Sequence, residues 1–223
     1  GGFVFEAVME DVQTLNQWAM QKKLPVTKLS YGVLPLVLDK YAVLNSGSAL
    51  GHGVGPLLIR NGRSALSKIE ENQIAIPGEH TTAHLLFSLA YPSAKQKVFL
   101  RYDEIEKFVM DGKGLGVIIH ENRFTYQEKG LVKITDLGDY WEQETGQPIP
   151  LGGIVIDKNI DPLLQHRIDD LIKQSIGEQR HSFAAPTVFE QTIVHIKPGR
   201  LNRITTLQSS QFDCRCRCRP FWT

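Results

Sequence analysis

From Glu10 to Pro25, Val12, Leu15, Trp18 and Ala19 recur at helical spacing, and that period predicts an amphipathic helix ending no later than the proline. The following segment, "LPVTKLSYGVLPLVLDKYAVLNSG", is rich in β-branched and aromatic residues and reads as strand, with a middle that fits a short helix equally well. Between residues 73 and 120 the pattern alternates: strand in "QIAIPG", helix in "TTAHLLFSLAY", strand in "VFLRYD", helix in "EIEKFVMDGKG" and strand in "LGVIIH". Such alternation predicts a mainly parallel sheet covered by helices, with ligands bound outside the carboxyl ends of its strands. A further strand follows at "LGGIVI", then a helix from Asp161, the N-cap, with Pro162 at its first position and Leu163, Leu164, Ile168, Leu171, Ile172 and Ile176 as its apolar face. After Ile176 the periodicity deteriorates.

Composition narrows the function classes. The 223 residues hold 25 Lys and Arg against 24 Asp and Glu, so no overall cationic field favours nucleic acid or an anionic membrane. No apolar run approaches the ~20 residues that span a bilayer. All three cysteines, Cys214, Cys216 and Cys218, sit in "CRCRCRP", and the preceding 213 residues contain none, which suits a reducing cytosol. Their alternating spacing does not match paired zinc knuckles. No metal site and no organic cofactor is expected.

Four features bear on chemistry. Gly47, Gly51, Gly53 and Gly55 precede an apolar run, but the spacing lacks the lysine of a P-loop and a strand follows where a dinucleotide loop needs a helix, so a turn is expected. In "IPGEHTTAHLLF" a strand delivers the chain to Thr81 and Thr82 at a helix start; first-turn N–H groups and threonine hydroxyls there can donate to an anion, or a threonine can simply cap the helix. Lys28 and Ser30 flank Leu29 on a strand, where a cation and a hydroxyl could face a polar ligand or solvent. His120 ends a buried run in "GVIIHENRFTY" and is open to three readings: satisfied packing, general base or metal ligand. For zinc there is no H-E-x-x-H; His80 and His84 are four apart, but His80 precedes the helix. No G-x-S-x-G elbow is present either.

Six ordered blocks, "EDVQTLNQWA", "LPVTKLSY", "SALGHGVGPLLI", "IPGEHTTAHLLFSL", "VIIHENRFTY" and "ITDLGDYWEQETGQPIPLGGIVI", together resemble the 1,4-dihydroxy-6-naphthoate synthases of the futalosine route to menaquinone. The resemblance runs from about residue 8 to about residue 176. It implies an α/β fold of the periplasmic-binding-protein-like type II class, two lobes around a cleft, in a cytoplasmic lyase that takes a small aromatic carboxylate and converts cyclic dehypoxanthinylfutalosine to 1,4-dihydroxy-6-naphthoate. By match to the family pattern, His120 is the proton acceptor, and Lys28, Leu29, Ser30, Thr82 and Ala83 line the substrate site. Related alternatives are chorismate dehydratase, which shares fold and pathway, and a solute-binding protein that closes on a small anion without chemistry.

The expected lobes are residues 1–76 with 154–176, and 77–153. The family's usual opening strand and "SPCPNDTF"-like loop have no counterpart here, and residues 177–223 read as an atypical tail, as a shifted reading frame would produce. Truncation or alteration at both ends is the resulting expectation.

Overall fold

The computed structural model describes residues 3–63, 68–182 and 192–198. In chain order it begins with β1 (Phe3–Met9), α1 (Val12–Met20), β2 (Val26–Ser30), β3 (Tyr41–Val43), β4 (Ala49–Gly51) and β5 (Leu57–Asn61). Then come β6 (Ile74–Ile76), α2 (Thr82–Ala90), β7 (Lys97–Phe99), α3 (Ile105–Met110), β8 (Leu115–Ile118), α4 (Asn122–Thr125) and β9 (Leu131–Asp136). α5 (Leu137–Thr145), β10 (Ile149–Asp157), α6 (Pro162–Ser182) and β11 (Thr192–Pro198) complete it.

Two compact units emerge: Gly1–Ala49 with Gly152–Thr223, and Leu50–Leu151. Both are mixed α/β, as the fold class implies. The boundary differs from the expected one, because residues 50–76 go with the second unit. There β5 pairs with β8 and β9, so the glycine segment opens the second sheet instead of closing the first.

In the first unit, β10 lies antiparallel between β2 and β3. The helix expected from Glu10 begins at Val12, because Asp11 caps it: Asp11 Oδ1 accepts from the backbone N–H of Gln13 at 2.9 Å and Thr14 at 3.2 Å. Ala19 of α1 packs with Leu29, Val33, Val37, Tyr41 and Val155 in one buried cluster. Asp161 caps α6 as expected, accepting from the N–H of Leu163 and Leu164. That helix continues to Ser182, beyond Ile176, and β11 pairs antiparallel with β1. The rest of the expected tail, and all three cysteines, lie outside the described residues.

The second unit holds a five-stranded sheet ordered β7-β6-β8-β5-β9. The expected parallel sheet is present in β7, β6 and β8, while β5 is reversed against both its neighbours. Strand alternation sends side chains to opposite faces. Leu58, Ile74, Ile76 and Val117 pack with Leu86 and Phe87 of α2 and Leu137 of α5, whereas Leu57, Ile59, Ala75 and Ile118 pack with Ile105 and Val109 of α3. Helices therefore cover both faces, and the polar chemistry is left to the sheet's ends.

Candidate functional site

The sheet of the second unit gathers its polar residues at one end. β7, β6 and β8 are parallel, so their carboxyl ends lead to Tyr102, to the Gly78–Thr82 turn and to His120 at the same edge. Register adds two more segments, since Leu57 pairs with Ile118 and with Asp136. The glycine loop before β5 and the start of α5 therefore reach that edge too. This is the strand-end location that favours ligands in α/β sheets.

His120 is exposed and adopts a left-handed backbone, φ 57°, a region that non-glycine residues enter rarely and often at functional turns. Its ring meets Tyr102 edge to face, with centroids 5.5 Å apart and planes at 83°. Its carbonyl accepts from the N–H of Arg123 at 3.2 Å.

Arg123 ties three segments together. Its guanidinium donates to the carbonyls of Gly55 at 2.6 Å and Gly53 at 2.9 Å, and to Asp136 Oδ2 at 2.5 Å. Asp136 in turn caps α5 by accepting from the N–H of Gly138 and Asp139. The loop also presses against that helix: a Cβ on Gly55 would stand 2.3 Å from the Gly138 Cα, so only glycine fits. Glu142 fixes the other side of the loop, accepting from the Gly53 N–H at 2.8 Å and meeting His52 Nδ1 at 3.1 Å. Gly55 thus serves close packing, whereas Gly53, with open space around it and φ 65°, serves the turn itself that the sequence reading expected.

At α2 the capping question resolves by counting hydrogens. Thr81 is the N-cap, with Oγ1 accepting from the His84 N–H, while its own hydroxyl donates to the Gly78 carbonyl at 2.9 Å. The Thr82 hydroxyl donates to the carbonyls of Pro150, at 2.9 Å, and Leu151. A hydroxyl carries one hydrogen, so both threonine hydroxyls are committed within the chain, and of the two readings open for this corner the cap is the one formed at Thr81. What this corner offers is the backbone N–H of the first helical turn. Ala83 is buried in the core beside Leu86 and Phe87.

His84 and Lys97 brace the approach to α2. His84 Nδ1 lies 2.6 Å from the Glu79 carbonyl, which can only accept, so Nδ1 bears the proton and Nε2 accepts from Lys97 Nζ at 3.0 Å. Lys97 also donates to Ser88 Oγ at 2.7 Å. Burial lowers the pKa of His84, which favours the neutral imidazole that this geometry requires, and burial lowers that of Lys97 as well. Among the described residues no group of three His, Cys, Asp or Glu side chains could hold a metal ion.

In the first unit, Lys28, Leu29 and Ser30 follow one another on β2. The strand period puts Lys28 and Ser30 on one face and Leu29 on the other, where its side chain is fully buried in the core. β10 comes close at this point, since a Cβ on Gly152 would stand 2.5 Å from the Leu29 carbonyl. Lys28 is half-buried, and burial lowers its ammonium pKa from 10.5 to about 8. Ser30 is 4% exposed and bonds to Asn16, a side chain with no exposure at all. Sequence reasoning passed over Asn16. Its helical phase beside Leu15 and Ala19 placed it on the buried side of α1, which was the available signal.

A family profile described as menaquinone biosynthesis matches residues 1–191. A 1,4-dihydroxy-6-naphthoate synthase from Thermus thermophilus is 46% identical over 173 residues, covering 77% of this chain and 62% of the relative. One from Streptomyces coelicolor is 39% identical over 182 residues, covering 79% and 64%. The chain thus spans a little over three-fifths of the length of these relatives. Among solved structures, the Archaeoglobus fulgidus protein AF1704 superposes with a TM-score of 0.73 at 32% identity, covering 78% of this chain and 65% of that one. XAC2383 from Xanthomonas citri, solved bound to ATP, shares the fold alone, with a TM-score of 0.53 at 11% identity. The profile spans most of the chain and the two synthases are 46% and 39% identical to it, and the chain belongs to the menaquinone biosynthesis family.

Proposed function

We propose that the protein is a cytoplasmic carbon–carbon lyase that converts cyclic dehypoxanthinylfutalosine to 1,4-dihydroxy-6-naphthoate, with His120 as general base. The observation that carries this reading is the convergence of His120 and the first turn of α2 at one end of the second unit's sheet, in a chain similar to synthases of that name. A neutral imidazole accepts a proton near pH 7, and a left-handed turn held by Arg123 presents it beyond the strand end. Removal of a sugar-ring proton begins C–C cleavage and aromatisation, with loss of the sugar-derived fragment. The substrate's carboxylate needs donors, and the N–H groups at Thr82 and Ala83 supply them with the positive end of the helix dipole behind. Lys28 and Ser30 add a cation and a hydroxyl, and Leu29 anchors their strand in the core.

His120→Gln should slow release of the naphthoate by about 10²–10⁴-fold while binding of the cyclic substrate persists. Turnover within a few-fold of the parent chain would overturn the assignment. Dehydration of chorismate by the parent chain, or binding of the cyclic compound without any conversion, would replace the proposed reaction with one of the two alternatives.

A further inference from the structure

Asn16 lies inside α1, where a fully buried carboxamide has to be explained, because an amide removed from water without partners is costly. Each end of its side chain meets the same residue of β2. The Ser30 backbone N–H donates to Asn16 Oδ1 at 2.9 Å, and Asn16 Nδ2 donates to Ser30 Oγ at 3.1 Å. This orientation is the one the atoms permit. A backbone N–H can only donate, so oxygen must face it, which turns the NH₂ group toward the hydroxyl. Ser30 Oγ is thereby made an acceptor from Asn16, and its own hydrogen must point elsewhere. Among the described residues that hydrogen has no acceptor, although Ser30 is 4% exposed.

Anchoring α1 to β2 would need only the bond between the Ser30 N–H and Asn16 Oδ1. The second bond does something different: it decides which way the hydroxyl points. We infer that Asn16 is a positioning residue that fixes the Ser30 hydroxyl as a hydrogen-bond donor to an acceptor oxygen of the bound ligand. Lys28 shares this face of the strand and its ammonium can only donate, so with the Ser30 hydrogen directed outward the face is matched to carboxylate, carbonyl or hydroxyl oxygens. The inference rests on the reading of Ser30 as a substrate contact.

The test is a binding titration of 1,4-dihydroxy-6-naphthoate, followed by its fluorescence, on the full chain. In Asn16→Asp at pH 8 the new carboxylate still accepts the Ser30 N–H but also takes the hydroxyl hydrogen, turning it away from the ligand. Affinity should fall about tenfold, as it should in Ser30→Ala, and the double variant should bind no more weakly than either single one. Relative to the parent chain at the same pH, the Asn16→Asp loss should shrink as the pH is lowered and the introduced carboxyl regains a proton to donate. An anchoring role alone would show neither the non-additivity nor the recovery. Parent-like affinity in Asn16→Asp, or losses that multiply in the double variant, would overturn the inference while a weakened Ser30→Ala leaves the site reading standing. Parent-like affinity in Ser30→Ala would remove both. If Asn16→Asp melts below the assay temperature, the uncharged Asn16→Ala takes its place. It should weaken binding about threefold or more in the parent and not at all in Ser30→Ala, and equal losses in both backgrounds would overturn the inference.

Discussion

The two units keep polar groups in place by different means. In the first, Ser30 sits on a strand of an antiparallel sheet and is held by a neutral amide from a helix behind it, with both partners removed from water. In the second, His120 sits on an exposed turn beyond the sheet, held at the base of α4 by Arg123, whose guanidinium is locked to Asp136 and two loop carbonyls. On the proposed reading, a donor that must keep one orientation is fixed by a buried neutral pair, whereas a base that must meet a proton stays in water on a turn fixed by a charged clamp.

The cost of breaking each device should differ accordingly. Arg123 and Asp136 have side chains 15% and 5% exposed, so Arg123→Ala leaves a buried carboxylate without its cation. Urea unfolding should show a loss of about 3–5 kcal/mol, against about 1–3 kcal/mol for Asn16→Ala, which orphans only neutral groups. Arg123→Lys should fall between these, because an ammonium keeps the charge but cannot match the fork that reaches Asp136 and two carbonyls at once. An Arg123→Ala chain no less stable than Asn16→Ala would mean that the clamp is not what holds the turn.

The same contrast explains how much could be read from the sequence. α1, α2, α6 and the strands around His120 follow from apolar period and capping residues, which act locally and leave a local trace. The Thr81 cap is likewise written in adjacent residues. What escaped was contact between distant segments. Asn16 bonds to Ser30 fourteen residues away, Arg123 reaches back to Gly53 and Gly55, and the Thr82 hydroxyl is consumed by Pro150 and Leu151. The reversed β5 escaped for the same reason, since a buried strand reads alike in either direction. Lys28, Ser30, Thr82 and His120 stand out as candidates because they sit at element ends or on strand faces, whereas an asparagine within a helix does not.

Lys28 offers a pH test of the first unit. Burial holds its ammonium at about 8 in the folded chain, below the 10.5 of an exposed lysine. Between those values the unfolded chain binds more protons, so this residue should make stability rise with pH from about 8 to about 10.5. Binding should move the other way. An anionic ligand prefers the protonated form, and affinity for the naphthoate should fall by up to about tenfold per pH unit above about 8. Lys28→Gln should flatten both profiles. A parent binding curve already flat from pH 7 to about 10, with the Lys28→Gln curve lying on it, would remove the cation from ligand recognition.

The smallest effects should come from the two threonines of α2, and they separate cap from donor. Thr81→Ala removes the cap and should cost about 1 kcal/mol. Thr82→Val leaves the carbonyls of Pro150 and Leu151 without their hydroxyl partner, a loss of similar size, about 1 kcal/mol. Neither hydroxyl has a hydrogen to give an anion, so naphthoate affinity should change by less than about threefold in both variants, provided the helix start keeps its backbone geometry. A tenfold loss of affinity in Thr82→Val at unchanged stability would show that ligand binding draws the hydroxyl away from Pro150. Side-chain donation would then take the place of the backbone N–H groups at this edge, and the second unit would use the same device as Ser30 in the first.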